Sequence, residues 1–425
     1  MRRSVSEHQA AVLAMLERAW GGRFDDGERL PLIDCLGRVL AEDLLAPLDL
    51  PPFANSQMDG FAVNSAGLAG GAALRVAAPI PAGAVPGPLL AGEAAPIMTG
   101  AMLPEGADAV VPVERAVPAE FPDPGDGAAT VTLPAAEAGE YVRSAGSDVR
   151  AGSVAIPTGS RLTAAQLGLA AALGLTGLDV RRKPRVLLVA TGDEVVLPGN
   201  GLPAGKIYDA NSMLLHANLV EAGAEVLAAG LVPDDPEELL RLLAERTESA
   251  PVDLILTSGG ISAGAYEVVK QALAGDVEFC SVAMQPGGPQ ALGTVRGVPF
   301  LGFPGNPVSG VVSFEMFLRP ALAALTGMAR PRARVRARLA DTLTSPAGKV
   351  QVRRAFYTEL RPGTPADAVV VGGPSGTSTA QGSVAVVGGP SSHLLGSLAA
   401  SNALIQIPAD VTDLAAGSEV EVWLL

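Results

Sequence analysis

The chain has 425 residues, room for about three domains at ~150 residues each. Hydrophobic residues make up 48% and charged residues 17%, which excludes a disordered chain and allows several cores. Lys+Arg 30 against Asp+Glu 44 leaves a net charge of -14, which argues against nucleic acid as the main partner but leaves a local anion pocket open.

At the N-terminus, Arg2, Arg3, Glu7, Glu17 and Arg18 break any secretory apolar segment. Residues 8–20 carry Val12, Leu13 and Leu16 on one helical face. A second helix is expected over Pro31 to Leu45, from Leu32, Ile33, Leu36, Val39 and Leu40. From Pro47 to about Tyr141 the text is dense in Pro and Gly, with short apolar runs at 74–77, 109–113 and 130–133; it predicts a small β-rich module. Helical spacing returns at 163–174, opened by Thr163 with Gln166 as a capping box. The β-rich module is thus inserted, and its two flanks are expected to pack together as one elongated domain.

From Lys183 strands and helices alternate. Arg185 to Ala190 reads as a strand buried on both faces, followed by a helix over 212–222 that Gly223 stops. Next come a strand over 225–231 and a helix opened by Asp235, Pro236, Glu237 and Glu238. Strands follow at 253–257 and 298–303, then a helix through Phe314 and Phe317. This is a doubly wound α/β domain. After Pro331, short runs at 335–339, 355–360, 368–372, 403–407 and 419–424 predict a C-terminal β module, with a Gly/Ser-rich loop over 372–390. The predicted fold class is multidomain α/β plus β. It combines an elongated helical/β domain (1–46 with 143–182), the inserted β-rich domain (47–142), the α/β domain (183–328) and the β module (329–425).

The longest weakly polar stretch, 167–178, is too short to span a bilayer, so a soluble cytoplasmic protein with no membrane partner is expected. Cys35 and Cys280 form no CxxC, and His8, His216 and His393 are scattered, so a zinc centre is not expected. Any metal would be a hard cation on carboxylates.

Open parallel sheets bind ligands beyond the carboxyl ends of their strands. Those ends here read Thr191-Gly192-Asp193-Glu194, Pro233-Asp234-Asp235, Ser258-Gly259-Gly260 and Pro304-Gly305-Asn306-Pro307-Val308-Ser309. Backbone N–H groups of Gly turns hold anions such as phosphate, and carboxylates hold Mg²⁺. Together they suit phosphoryl or nucleotidyl chemistry. No GxGxxG follows a strand and no GxxxxGK[ST] occurs, which sets aside dinucleotide-binding and P-loop domains.

The motifs PPFANSQMDGFAV (51–63), IMTGAMLPEGADAVVPVE (97–114), GSDVRAG (146–152), ATGDEV (190–195), SGGISAG (258–264), GFPGNPVS (302–309) and SSHLLGSLAASNALIQIP (391–408) cover nearly the whole chain. With them the sequence resembles the molybdopterin molybdenumtransferases of the bacterial MoeA family, related to the C-terminal part of gephyrin. The resemblance implies the last step of molybdenum cofactor synthesis: adenylylated molybdopterin binds, its phosphoanhydride is cleaved, molybdate joins the dithiolene and AMP leaves. It implies Mg²⁺ as cofactor, a homodimer with sites shared between chains, and contacts with other molybdenum cofactor proteins.

Carried over residue by residue, the resemblance gives Asp59, Thr99, Asp148, Glu194, Asp234 and Glu267 catalytic roles, with Glu194 and Asp234 on the metal. It places the ligand on Ser258, Gly259, Gly260, Pro304, Gly305, Asn306, Pro307 and Ser309, and on Arg354 and Ser392 of the C-terminal module. One departure is clear: Ser281, Gln285 and Gly288 stand where many members carry lysine. Arg296, Lys270 or the bound metal are the candidates to supply the positive field instead. A molybdopterin adenylyltransferase and a non-catalytic pterin-binding scaffold are the competing readings. The inserted and C-terminal modules weigh against the first, and Asp59, Glu194 and Asp234 against the second.

Overall fold

The computed structural model describes residues 2–68, 73–123, 128–261, 267–359 and 382–425. The strand expected at 368–372, the first part of the loop expected at 372–390 and residues 262–264 of SGGISAG lie outside the described residues. The chain divides into two compact units, one of Arg181–Leu425 with the N-terminal stretch through Glu28, the other of Arg29–Val180.

The first unit is built on a seven-stranded sheet. Its order is Arg2–Arg3, Val277–Val282, Pro289–Val295, Val298–Phe303, Leu254–Ser258, Arg185–Thr191 and Glu225–Val232. The last four strands run parallel, and Pro289–Val295 turns antiparallel against both its neighbours. Leu187, Val189 and Ile255 face one core and Val186, Leu188 and Leu254 the other, which is why these strands read as unbroken apolar runs. Helix Pro236–Ser249 starts as expected, with Asp235 Oδ1 accepting from the Glu237 N–H at 2.9 Å.

The N-terminal helix, Val5–Trp20, departs from the expectation. It belongs to the first unit, where it lies on the α/β sheet. Val12, Leu16 and Trp20 enter the core that holds Val186, Leu254 and Phe317, and Trp20 Nε1 donates to the Asp253 carbonyl at 2.8 Å. Its apolar stripe matches that face of the sheet, and Arg2–Arg3 extends the sheet by one parallel strand.

Pro307–Ser313, a π-helical turn over Phe314–Leu318 and Arg319–Thr326 run on as one helical stretch. By length and composition this stretch could cross a membrane. Phe314, Phe317, Leu318 and Leu322 bury it in the protein core instead. In the C-terminal module, Val350–Glu359 pairs with both Gly382–Val386 and Ala403–Ile407. Arg334–Leu339 and Glu419–Leu424 complete the circuit, so the sheet closes on itself like a barrel. Met284–Gln285 runs parallel to its edge at Val350 and Gln351.

In the second unit a five-stranded sheet orders Ala109–Pro112, Gly60–Val63, Glu93–Ile97, Ala73–Val76 and Thr130–Thr132. Its flanks share a cluster of Cys35, Leu40, Ile156, Leu162 and Leu178. The helix expected over 31–45 is absent. A strand Gly27–Pro31 and one 3-10 turn, Leu32–Asp34, are followed by irregular chain. The apolar residues there do not share a face: Leu40 is buried while Ile33 and Leu36 are exposed. The backbone bonds distant carbonyls instead, Gly37 N–H to Leu162 O and Leu40 N–H to Ser160 O, both at 2.9 Å. Gly37, at φ +75°, opens the chain for that pairing.

Candidate active site

The carboxyl ends of the parallel strands open into a cavity of about 1010 Å³ in the first unit. One wall is made of two turns. Ser258, Gly259 and Gly260 end one strand, and Pro304 to Pro307 end the next. The turns nearly touch: a Cβ on Gly305 would lie 3.4 Å from Gly259 Cα. Gly259 and Gly260 have φ +95° and +68°, a left-handed backbone that glycine adopts freely. Asn211 Nδ2 donates to the Gly305 carbonyl at 2.6 Å and holds the second turn in place. Ser309 follows, buried and lining the cavity.

Part of the lining is acidic. Glu194, Asp209, Asp234 and Glu267 all belong to it. Burial raises the Asp234 carboxyl above the usual carboxylate range, and the charges of Asp193, Glu194 and Glu267 add to the rise. Asp209 is committed locally: it accepts from the Ser212 N–H at 3.0 Å and starts the helix Asn211–Glu221.

The C-terminal module supplies a further wall, with Lys349, Ser392 and His393. Val308 N–H donates to the Ser392 carbonyl at 3.1 Å, which ties this wall to the Asn306-Pro307 turn. Ser281, Gln285 and Gly288 line the cavity between the two modules.

Most residues expected at the site meet here. Glu194, Asp234, Glu267, Ser258, Gly259, Gly260 and the residues of the 304–309 turn share one cavity with Ser392. Arg354 does not line it. It is buried, and its guanidinium donates to the carbonyls of Gly389 and Ser391. It therefore shapes the loop that carries Ser392 and does not face the ligand itself. Asp59, Thr99 and Asp148 belong to the other unit. There Asp59 Oδ1 accepts from the Thr99 N–H at 2.6 Å and from its hydroxyl at 2.8 Å. Those bonds, the backbone one first, hold the Asp59 carboxyl below its usual range. Asp148 is exposed, with its N–H on the Leu50 carbonyl at 3.0 Å.

Sequence reasoning missed Asn211, Lys349 and His393. Lys349 could not be found from the α/β rim, because it lies in a turn of another module. Neither cation expected to replace the missing lysines lines the cavity. Arg296 pairs with Glu248, and Lys270 sits exposed in the helix Val268–Leu273. Among the described lining residues, Lys349 is the one lysine or arginine.

Three family models match the chain. They are "MoeA N-terminal region (domain I and II)" over residues 3–174, "Probable molybdopterin binding domain" over 187–324 and "MoeA C-terminal region (domain IV)" over 336–425. The chain belongs to the MoeA family. It is 42% identical over 436 residues to molybdopterin molybdenumtransferase 2 of Mycobacterium tuberculosis, covering 99% of each chain. It is 33% identical to the molybdopterin molybdenumtransferase of Haemophilus influenzae, covering 93% of each. The molybdopterin biosynthesis MoeA protein of Pyrococcus horikosii superposes with a TM-score of 0.78 at 29% identity, covering 100% of this chain and 99% of its own. The cavity belongs to the segment that the molybdopterin-binding model matches, closed by one wall from the MoeA C-terminal region.

Among the described residues, no three His, Cys, Asp or Glu side chains converge as a ready-made metal centre. Mg²⁺ does not need one, since it keeps several waters and takes one or two carboxylates beside substrate phosphates. Burial first, and then the neighbouring carboxylates, raise Asp234; a divalent cation would relieve the second of these, so Glu194 and Asp234 fit this ion.

Proposed function

We propose that this MoeA chain is a transferase that inserts molybdate into adenylylated molybdopterin and releases AMP, the last step of molybdenum cofactor synthesis. The observation that carries it is the convergence, in one cavity, of two glycine-bearing turns, a carboxylate wall and a single lysine from a separate module. The Gly259 N–H is spent on the Phe303 carbonyl at 3.0 Å, so the Gly260 and Gly305–Asn306 backbone would offer the donors to phosphate oxygens. Glu194 and Asp234 would hold Mg²⁺, which supplies charge neutralisation at the phosphoanhydride. Lys349, Ser281 and Gln285 would hold the molybdate dianion, with backbone N–H groups near Gly287 and Gly288. Holding phosphate and oxyanion in one cavity would orient one toward the other, and orientation alone lowers the barrier of a two-substrate reaction. The family resemblance supports a homodimer in which Asp59, braced by Thr99, serves the cavity of the partner copy, and contacts with other molybdenum cofactor proteins. Cys35 and Cys280, both free and buried, support a cytoplasmic location.

The test supplies adenylylated molybdopterin, Mg²⁺ and molybdate and follows AMP. AMP release that depends on both ions is expected. Binding without release would favour a scaffold, and adenylyl transfer from ATP to molybdopterin would favour an adenylyltransferase. Either result would overturn the proposal.

A further inference from the structure

The turn that carries Lys349 is exposed from Ala347 to Lys349, so hydrogen bonds and not packing decide where it sits. Gly348, at φ +73°, makes its bend. Within the C-terminal module the Gly348 N–H donates to the Ala409 carbonyl at 2.8 Å. Two further anchors come from the α/β side. The Arg2 guanidinium donates to the Gly348 carbonyl at 2.8 Å. The Val350 N–H donates to the Ala283 carbonyl at 2.9 Å, and the Ala283 N–H donates to the Arg3 carbonyl at 2.8 Å. Lys349 thus lies between two residues that are tied, directly or through Ala283, to the strand Arg2–Arg3. That strand sets Arg2 beside Ser281 and Arg3 beside Val282 in parallel register. It is itself pinned. Arg3 pairs with Glu278 at 2.7 Å, and Ser4 caps the helix Val5–Trp20, whose Val12, Leu16 and Trp20 are buried in the core.

We infer that Arg2 and Arg3 are positioning residues, which fix the turn of Lys349 against the segment of Ser281 and Gln285. One short strand holds both pieces, so the ammonium and the uncharged donors keep a set spacing around one oxyanion. Ser281, Gln285 and Lys349 line the cavity, whereas neither arginine does. The arginines therefore act through Lys349 and not on the ligand. A lysine on an exposed turn has many places to be, and a displacement of about 1 Å is enough to weaken a positioned contact severely. The inference rests on reading Lys349 as the molybdate-binding cation.

Two measurements on the full chain test this. Amide hydrogen exchange at Val350 reads the turn itself, because that N–H is freed when the turn lifts from Ala283. Arg2→Met should speed it about fivefold, the order of one lost hydrogen bond to a charged donor at an exposed site, and leave the melting temperature at the wild-type value. Arg2→Lys keeps a donor for the Gly348 carbonyl and should exchange within about twofold of wild type. Arg18→Met, which removes an exposed cation from the last turn of Val5–Trp20, should change nothing. The second measurement is AMP release. Arg2→Met should raise the molybdate concentration for half-maximal rate about threefold to tenfold and leave that for adenylylated molybdopterin unmoved. In a Lys349→Met chain the same substitution should have no further effect, since the residue it positions is gone. Exchange at the wild-type rate in Arg2→Met overturns the inference, as does an equal rise in Arg18→Met. So does an effect on molybdate that persists undiminished without Lys349, which would make Arg2 a charge acting on its own. The exchange measurement needs no turnover. Faster exchange in a chain that never releases AMP would remove only the proposed function.

Discussion

Asp193 and Asp234 hold each other's backbone: the Asp193 N–H donates to Asp234 Oδ2 at 3.2 Å, and the Asp234 N–H donates to Asp193 Oδ1 at 3.1 Å. Each side chain thereby fixes the loop that carries the other. The loops after Arg185–Thr191 and Glu225–Val232 become one rigid acidic rim, which the Lys206 ammonium braces through the Asp193 carbonyl.

The reciprocal bond separates two effects of Asp193. Asp193→Asn keeps an acceptor for the Asp234 N–H but removes a negative charge that raises the Asp234 carboxyl. The Asp234 pKa should then fall toward its ordinary value, and the acid limb of the AMP-release profile should move to lower pH. Asp193→Ala removes the acceptor too, and should lower AMP release by about tenfold through a loosened rim. Identical pH profiles for wild type and Asp193→Asn would show that the two carboxylates are not coupled.

Lys349 is the one ammonium or guanidinium among the described lining residues, which also include Ser281, Gln285 and Gly288, where the resemblance leads one to expect lysine. Lys349→Met should raise the molybdate concentration for half-maximal AMP release by about tenfold, the order of one charge-assisted hydrogen bond. Gln285→Lys should lower it, more at low ionic strength than at high. Gln285 already faces a polar neighbour, since its Oε1 accepts from Gln351 Nε2 at 3.4 Å. A molybdate dependence unmoved by both substitutions would place the oxyanion elsewhere.

The strand-end turns and their acidic residues were legible because the physics is local: a buried apolar strand must end, and Asp, Glu and Gly mark where it does. The helix Val5–Trp20 was legible as a helix but not as part of the α/β core, because an apolar stripe does not say which face will cover it. The spacing over 31–45 misled for a related reason. Carbonyls of Leu162 and Ser160, more than a hundred residues away, take the N–H groups a helix would have used. Lys349 and Asn211 entered the site only through tertiary structure. Arg354 shows the converse, a residue the resemblance places at the ligand whose guanidinium is spent on the loop beside the cavity.

Glu315, in the π-helical turn, has a fully buried side chain that pairs with Arg319 at 2.9 Å and with Arg332 at 2.9 Å. Arg332 also reaches Glu221 at 2.8 Å, so the cluster joins the α/β helices to the start of the C-terminal module. Glu315→Gln leaves two guanidinium groups short of a carboxylate in a buried setting. It should cost about 3–5 kcal/mol in urea unfolding, while AMP release at a temperature where the variant stays folded should change little. A loss within ~0.5 kcal/mol, the range of surface changes, would mean that water or Glu221 already compensates.

His8 should set part of the acid sensitivity of the fold. It is 1% exposed, its ring packs edge-on against Phe317 with centroids 4.6 Å apart, and its Nδ1 lies 3.8 Å from Cys280 Sγ. Burial, with the Arg3 charge second, pushes its pKa down from 6.5 to about 4. The neutral imidazole is therefore the folded form, while the unfolded chain takes up a proton near ~6.5. Above ~6.5 neither state binds that proton and the contribution is fully present. As pH falls from ~6.5 toward about 4, the unfolded state binds more protons than the folded one, and stability is lost along that interval. The gap corresponds to about 3 kcal/mol. His8→Leu, which cannot titrate, should remove this share of the slope. Carboxylates titrate in the same range, so the measured quantity is the difference between wild type and variant in unfolding free energy from pH 7 to 4. That difference should change by a few kcal/mol over the interval and stay level above pH 7. Parallel curves would mean that the imidazole finds its proton a partner in the core, and the acid loss would then belong to the carboxylates alone.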